Sequence, residues 1–251
     1  MIQLCRNALQ NLIGQTTLPH AGLMLSRGLK EWPQDGEGGG KKKKELIDKV
    51  AQLRPSEIYI KALQRWKVAT ANENGYSSTT ALLIGRLYIG VTRDNALETG
   101  VTTSHAYGMP MIPGSAVKGL CRAVVEGKGL DSTVGRFMFG SEAEDASGTE
   151  EAGGLVFHDA WWDGTKNDKP FVAEIVTPHH QEYYGSEGEI PATDFDSPIP
   201  ANQIAVQGKF YFAIQGDKAW TEFALKILQL GLTEIGIGGK RTSGYGFFNG
   251  Q

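Results

Sequence analysis

Leu46, Ile47, Val50 and Leu53 recur at the spacing of one helix face, directly after a run of lysines. A second apolar stripe, Ile58, Leu63 and Trp66, follows Pro55–Ser56–Glu57, where proline and a capping residue mark a helix start. Between these stripes and an N-terminal helix lies Pro33–Gly40, glycine-rich and acidic, which predicts a loop. From Leu82 the period shortens. Leu83, Gly85, Leu87 and Ile89 alternate with Arg86 and Tyr88, which predicts a strand over 82–91. Helices are predicted over Ser115–Glu126, Ser132–Phe139 and Ala219–Leu230, and strands over Leu155–Trp162, Phe171–Val176, Gln203–Ile214 and Tyr245–Phe248. The stretch leading to Pro113 and the segment Thr177–Asn202, with its four prolines, have neither period, and loops of that length are usually functional or mobile.

The order after residue 80 is therefore β-α-β-β-α-β with large insertions. It predicts an α+β, ferredoxin-like domain over residues 78–251, a four-stranded antiparallel sheet with two helices on one face. Residues 1–77 are expected to form a helical extension. Many unrelated functions use that fold, so activity has to be read from sites.

At 251 residues the chain can bury a substantial core, and 40% hydrophobic with 21% charged residues fits an ordinary globular protein. No apolar run reaches the roughly 20 residues that span a bilayer. The first residues lack a basic start followed by an apolar stretch, so no secretion signal is expected. Cys5 and Cys121 supply neither a disulfide framework nor a zinc quartet, and reduced thiols in the cytoplasm are the expectation. A net charge of −3 argues against coating nucleic acid through bulk charge. The charge is uneven, however. Acids crowd Glu142–Glu151 and Glu182–Asp196, while cations gather at Lys41–Lys44, Lys118–Arg122 and Lys240–Arg241, so any nucleic-acid site must be local.

Gly236–Gly246 holds five glycines in eleven residues, with Lys240 and Arg241 at its centre. Glycines let the backbone turn and approach a ligand, and successive exposed N–H groups make an anion-binding concavity that two cations reinforce. The chemistry suits phosphate; a tight helix-to-strand connection accounts for the glycines equally well. A P-loop is excluded, since Arg241 follows Lys240 and Glu234 stands where its first glycine would fall. A second candidate is Ile112–Arg122: Gly114 and Ser115 open a helix whose N–H groups can face an anion, and Lys118 and Arg122 share a face one turn on. A solvated basic face is the bland alternative. Lys41–Lys44 reads as a solvated tail or loop.

No HxxxH, HExxH or CxxC pattern occurs, and His179 and His180 point to opposite sides of an extended chain, so neither metal nor cofactor is expected. His105 is the least unsuitable acid–base candidate, with a bland polar role preferred. Trp161–Trp162, Tyr183–Tyr184 and Tyr245–Phe248 bring aromatic rings of the kind that stack on unpaired bases, although core packing suits Trp161 better.

Met111–Gly119, Phe139–Gly140, Gly154–Ala160, Val176–Tyr184 and Gly236–Gly246 occur here in an order similar to that of RAMP proteins. Thr177–Pro178–His179 with Tyr183–Tyr184 resembles, within that family, the sixth subunits of type III-B (Cmr) CRISPR effector complexes. The resemblance covers roughly residues 80–251. It implies a non-catalytic subunit that contacts guide (crRNA) backbone near its 3′ end, helps seat target RNA in antiviral defence, and stands beside other Cmr subunits. Carried over by position, Gly114, Ser115, Lys118 and Arg122 face RNA, and Gly238, Gly239, Lys240, Arg241, Ser243 and Gly244 form the glycine loop. The acidic run Glu142–Glu151 is expected to lie away from the guide. Two alternatives stay open: an endoribonuclease that processes precursor guide RNA, and an interior repeating subunit of a type III backbone.

Overall fold

Side-chain oxygens set several helix starts: Ser56 accepts the Tyr59 amide, Asp131 that of Thr133 and Asp217 that of Ala219. The computed structural model of the chain describes residues 2–3, 20–29, 31–32, 39–72, 75–91, 97, 99–141, 151–177, 185–186, 189–191, 193 and 200–250. In chain order its elements are β1 (Ile2–Gln3), α1 (Ala21–Arg27), β2 (Glu31–Trp32), α2 (Gly39–Ala51), α3 (Glu57–Ala69), β3 (Tyr76–Leu82) and β4 (Met111–Ile112). Then follow α4 (Gly114–Gly127), α5 (Ser132–Phe139), β5 (Gly140–Ser141), β6 (Glu151–Ala152), β7 (Val156–Phe157), β8 (Ala160–Trp162) and β9 (Phe171–Val176). The chain closes with β10 (Ala201–Val206), β11 (Lys209–Gln215), α6 (Lys218–Glu234) and a 3-10 turn at Arg241–Ser243.

The main sheet is antiparallel, with strands in the order β3-β11-β8-β4 and β7 also paired to β11. Side chains alternate across it. Ser77, on β3, bonds Thr221 of α6 at 2.7 Å, so that face carries α6 and, beside it, α4. Gly231 lets the two helices close: a Cβ there would stand 2.8 Å from Leu120 and 3.0 Å from Val124. Thr80, Tyr211 and Trp161 point the other way, and α3 covers them. Tyr59 Oη donates to the Trp162 carbonyl at 2.6 Å, Tyr211 Oη and Thr70 Oγ1 share a hydrogen bond at 2.8 Å, and Lys67 pairs with Asp163 at 2.7 Å. The sheet is thus sandwiched. Residues from α1, α2 and α3 join those of the sheet in one buried cluster, Ile47, Val50 and Tyr59 beside Trp162, Phe212 and Leu228. Cys121 is buried in it, and that burial pushes its thiol up to about 12, which makes it a packing residue rather than a nucleophile.

Several expectations change. Lys41–Lys44 belongs to α2, not to a loop, with Lys44 paired to Asp48 one turn on. The strand expected over 82–91 lies at Tyr76–Leu82; beyond Gly85 (φ +148°) the chain makes only single bridges at Leu87 and Tyr88. The strand expected over Gln203–Ile214 is two. Gly208 takes φ +105° between them, so β10 pairs with β9 in a separate hairpin while β11 enters the main sheet. Leu155–Trp162 likewise breaks at His158–Asp159 into β7 and β8. The terminal strand contracts to one bridge, Phe248 to Leu83. The Ser132–Phe139 helix and Phe171–Val176 strand lie where the periodicity puts them. Most of Thr177–Asn202, with His179, His180, Tyr183 and Tyr184, lies outside the described residues. Among those that are described, no helix is long and apolar enough to cross a membrane.

Tyr59→Phe removes the hydroxyl that ties α3 to β8. It is expected to cost about 1 kcal/mol, the net worth of one buried hydrogen bond, read from urea unfolding with an unchanged circular dichroism spectrum.

Candidate nucleic-acid interface

The glycine run begins where α6 ends: the Gly236 amide donates to the Gly231 carbonyl at 2.9 Å, and Gly236 turns the chain at φ +73°. From there the loop is pinned at both shoulders. The Gly239 amide donates to Tyr88 O at 2.7 Å, and the Gly246 amide to Arg86 O at 2.8 Å. Backbone approaches this closely because side chains are missing. A Cβ on Gly238 would lie 2.2 Å from Tyr88 O, and one on Gly246 only 1.9 Å from Ile237 O. Tyr88 lies under the loop with its ring 4.7 Å from that of Tyr245. Burial, then the neighbouring Tyr245 and Glu174, push its phenol well above the usual range, so it stays neutral.

Between the shoulders, residues 240–244 are exposed. Lys240 takes φ +57°, the only non-glycine with positive φ among the described residues, and Gly244 follows at φ +85°. Left-handed Lys240 followed by the 3-10 turn is the backbone alternation of an anion-binding nest, and it leaves the amides of 240–242 without a backbone acceptor among the described residues. Neither Lys240 nor Arg241 forms an ion pair with a described residue, whereas nearby Arg86 is committed to Glu174 at 3.1 Å and Gln207 at 2.9 Å. Ser243 and Gly244 close the turn, their amides donating to Lys240 O and Arg241 O.

The second candidate is differently built. The Gly114 amide donates to Asp159 Oδ1 at 2.8 Å, so a carboxylate already stands where an anion was expected. Gly114 is also wedged against β7, where a Cβ would meet Phe157 O at 2.1 Å; its role is close packing. Ser115 is exposed in the first turn. Lys118 and Arg122 line a groove of about 660 Å³ between α4 and α5, with Arg136 as a third cation. Glu126, Asp131 and Glu151 line it too, so its charges balance. Thr133, through its hydroxyl and its amide, holds the Asp131 carboxyl below the usual range, keeping it ionised. Glu151 therefore shares the groove of Lys118 and Arg122, and Glu142–Glu150 lies outside the described residues. No residue of the glycine loop lines this groove. The two candidates do not share it.

His105 is exposed in a turn, its ring bonded to no described residue and its carbonyl accepting from His20 Nε2 at 2.9 Å. Trp161 is half-buried, stacked between Tyr59 at 5.9 Å and Trp66 at 6.0 Å. Trp162 is buried. Among the described residues no group of three His, Cys, Asp or Glu side chains is placed to hold a metal. Sequence reasoning missed Arg86 and Tyr88 as the loop's anchors and Asp159 as the occupant of the α4 start. Each acts across more than forty residues of chain, which no local pattern signals.

The family model of the RAMP superfamily matches residues 80–249. CRISPR system Cmr subunit Cmr6 of Pyrococcus furiosus is 28% identical, over 64% of this chain and 64% of its own, so the chain spans a little under two thirds of that relative. Among solved structures, a chain in a cryo-EM structure of the type III-B Cmr-beta complex bound to cognate target RNA shares the fold. Its TM-score is 0.63 at 19% identity, covering 99% of this chain and 92% of that one. A crystal structure of Cmr6 from Pyrococcus furiosus aligns at TM-score 0.42 and 24% identity, over 70% of this chain and 98% of that one.

The close approaches separate shape from charge. Gly238→Ala is expected to cost more than about 1 kcal/mol in thermal or chemical unfolding, since its Cβ meets main chain and its φ is left-handed. Lys240→Gly is expected to be neutral to within about 0.5 kcal/mol, because relief of the left-handed φ offsets the added freedom of the unfolded chain.

Proposed function

The chain belongs to the RAMP superfamily, and on that premise we propose that it is a non-catalytic, RNA-binding subunit of a type III-B CRISPR effector complex in the cytoplasm. The observation that carries the reading is the pinned loop: exposed backbone and two cations, Lys240 and Arg241, that no described residue pairs, on a rigid support. Its ligand is the sugar–phosphate backbone of a guide RNA, near the 3′ end, and the same surface helps seat target RNA. The strand order β3-β11-β8, with Phe248 bridged to Leu83 beyond β3, is that of a ferredoxin-like four-stranded sheet, and we read it so. Of the N-terminal extension, α3 lies over the sheet face opposite α4 and α6, while α2 packs on the hairpin of β9 and β10.

Backbone recognition suits this geometry better than base reading. In related folds, bases stack on aromatic side chains of the open sheet face. Here α3 lies over that face, and Trp161 already has Tyr59 and Trp66 as stacking partners. Contacts left to the loop are with phosphate, so affinity depends on salt and little on guide sequence. Lys118 and Arg122 contribute less, because carboxylates share their groove. No observation favours an acid–base role for His105.

Lys240→Glu with Arg241→Glu is expected to lower affinity for single-stranded RNA at least about tenfold, with unfolding unchanged. The slope of log affinity against log salt should become shallower by about 1.4, two lost phosphate contacts at roughly 0.7 each for a single strand. Fluorescence anisotropy over a salt series reads both, and an unchanged slope would remove the loop from the interface.

A further inference from the structure

The outer face of α3 carries two exposed apolar residues around two cations. Val68 and Ile58 are 75% and 65% exposed, the most exposed large hydrophobic residues among those described. They lie ten residues apart on one helix, about 15 Å at 1.5 Å per residue. Lys61 and Arg65 fall between them on the same face, since 58, 61, 65 and 68 follow the three-and-four spacing of a helix. Both cations are exposed, and neither forms an ion pair with a described residue. Lys67, on the inward side, is spent on Asp163. Single exposed apolar residues are ordinary; two at the ends of one cationic stripe, bridged by the alkyl stems of Lys61 and Arg65, form a continuous strip with a charged centre.

We propose that this strip docks an acidic patch of another protein chain, with carboxylates against Lys61 and Arg65 and aliphatic side chains over Ile58 and Val68. The inference rests on the reading of this chain as a subunit of an effector assembly. Charge complementarity sets the partner's sign. The apolar ends set its class, because an RNA backbone gains nothing from two β-branched side chains, whereas a protein interface removes them from water. The support is rigid. Tyr59 and Thr70 fasten the inner side of α3 to the sheet, so the strip is presented without further ordering cost.

The test uses the complex purified through the tagged full-length chain. Carbodiimide cross-linking joins Lys61 to any carboxylate in contact with it. Mass spectrometry is expected to find Lys61 linked to Asp or Glu of a different protein chain. A link to RNA on ultraviolet irradiation, a link to a second copy of this chain, or no link overturns the proposal. A second arm uses Ile58→Asp with Val68→Asp, two exposed positions whose replacement leaves the core intact. Recovery of that variant in the complex is expected to fall at least about tenfold, while thermal unfolding and single-stranded RNA affinity stay unchanged. Full recovery overturns docking yet leaves the RNA reading standing. Conversely, a Lys61 link in a protein whose Lys240→Glu, Arg241→Glu form binds RNA normally leaves docking standing without it.

Discussion

The amides of Gly239 and Gly246 donate to the carbonyls of Tyr88 and Arg86, and those two hydrogen bonds decide what the end of the chain can do. They hold both shoulders of an exposed turn against a segment that is itself bridged to β10 through Leu87 and Val206. Residues 240–244 therefore cannot relax into a freely moving loop. Lys240 is left with a left-handed backbone that only glycine adopts without cost. Strain of that kind persists where the surroundings over-determine it. The consequence is a turn whose backbone is held in place, with Lys240 and Arg241 exposed on it, so that ligand binding has to order only side chains.

A second constraint acts on the sheet. An antiparallel sheet with helices on one face leaves its other face open, and here α3 closes it. Tyr59 donating to Trp162 O, Tyr211 sharing a hydrogen bond with Thr70 and Lys67 paired with Asp163 make that closure specific rather than a loose lid. Aromatic rings that could have met bases are thereby used as core. On the proposed reading, nucleic acid is left the loop, whose chemistry suits phosphate, and protein is left the outer side of α3.

How much of this was legible in the sequence depended on range. Ser132–Phe139 and Phe171–Val176 were readable because their period and their ends are local. The glycine loop was visible in composition, since five glycines around two cations announce a turn close to main chain. What the loop rests on was not, because Arg86 and Tyr88 lie some 150 residues away and present only backbone carbonyls to it. The break at Gly208 was hidden inside a run of alternating apolar residues that fits one long strand as well as two. Lys41–Lys44 looked like a solvated tail beside its glycines, but α2 begins at Gly39 and carries the lysines into a helix. At Gly114–Arg122 the sequence showed the cations and the free helix start, yet not Asp159, which comes from another strand to occupy that start.

Hydrogen exchange on the full-length chain, with and without single-stranded RNA, tests the central claim most directly. The account predicts that amides of the peptide covering residues 237–248 exchange more slowly when RNA is present, while those of α3 and of the sheet strands β8 and β11 do not change. Protection confined to the groove between α4 and α5, or to the sheet face beneath α3, with the glycine loop exchanging as before, would contradict it.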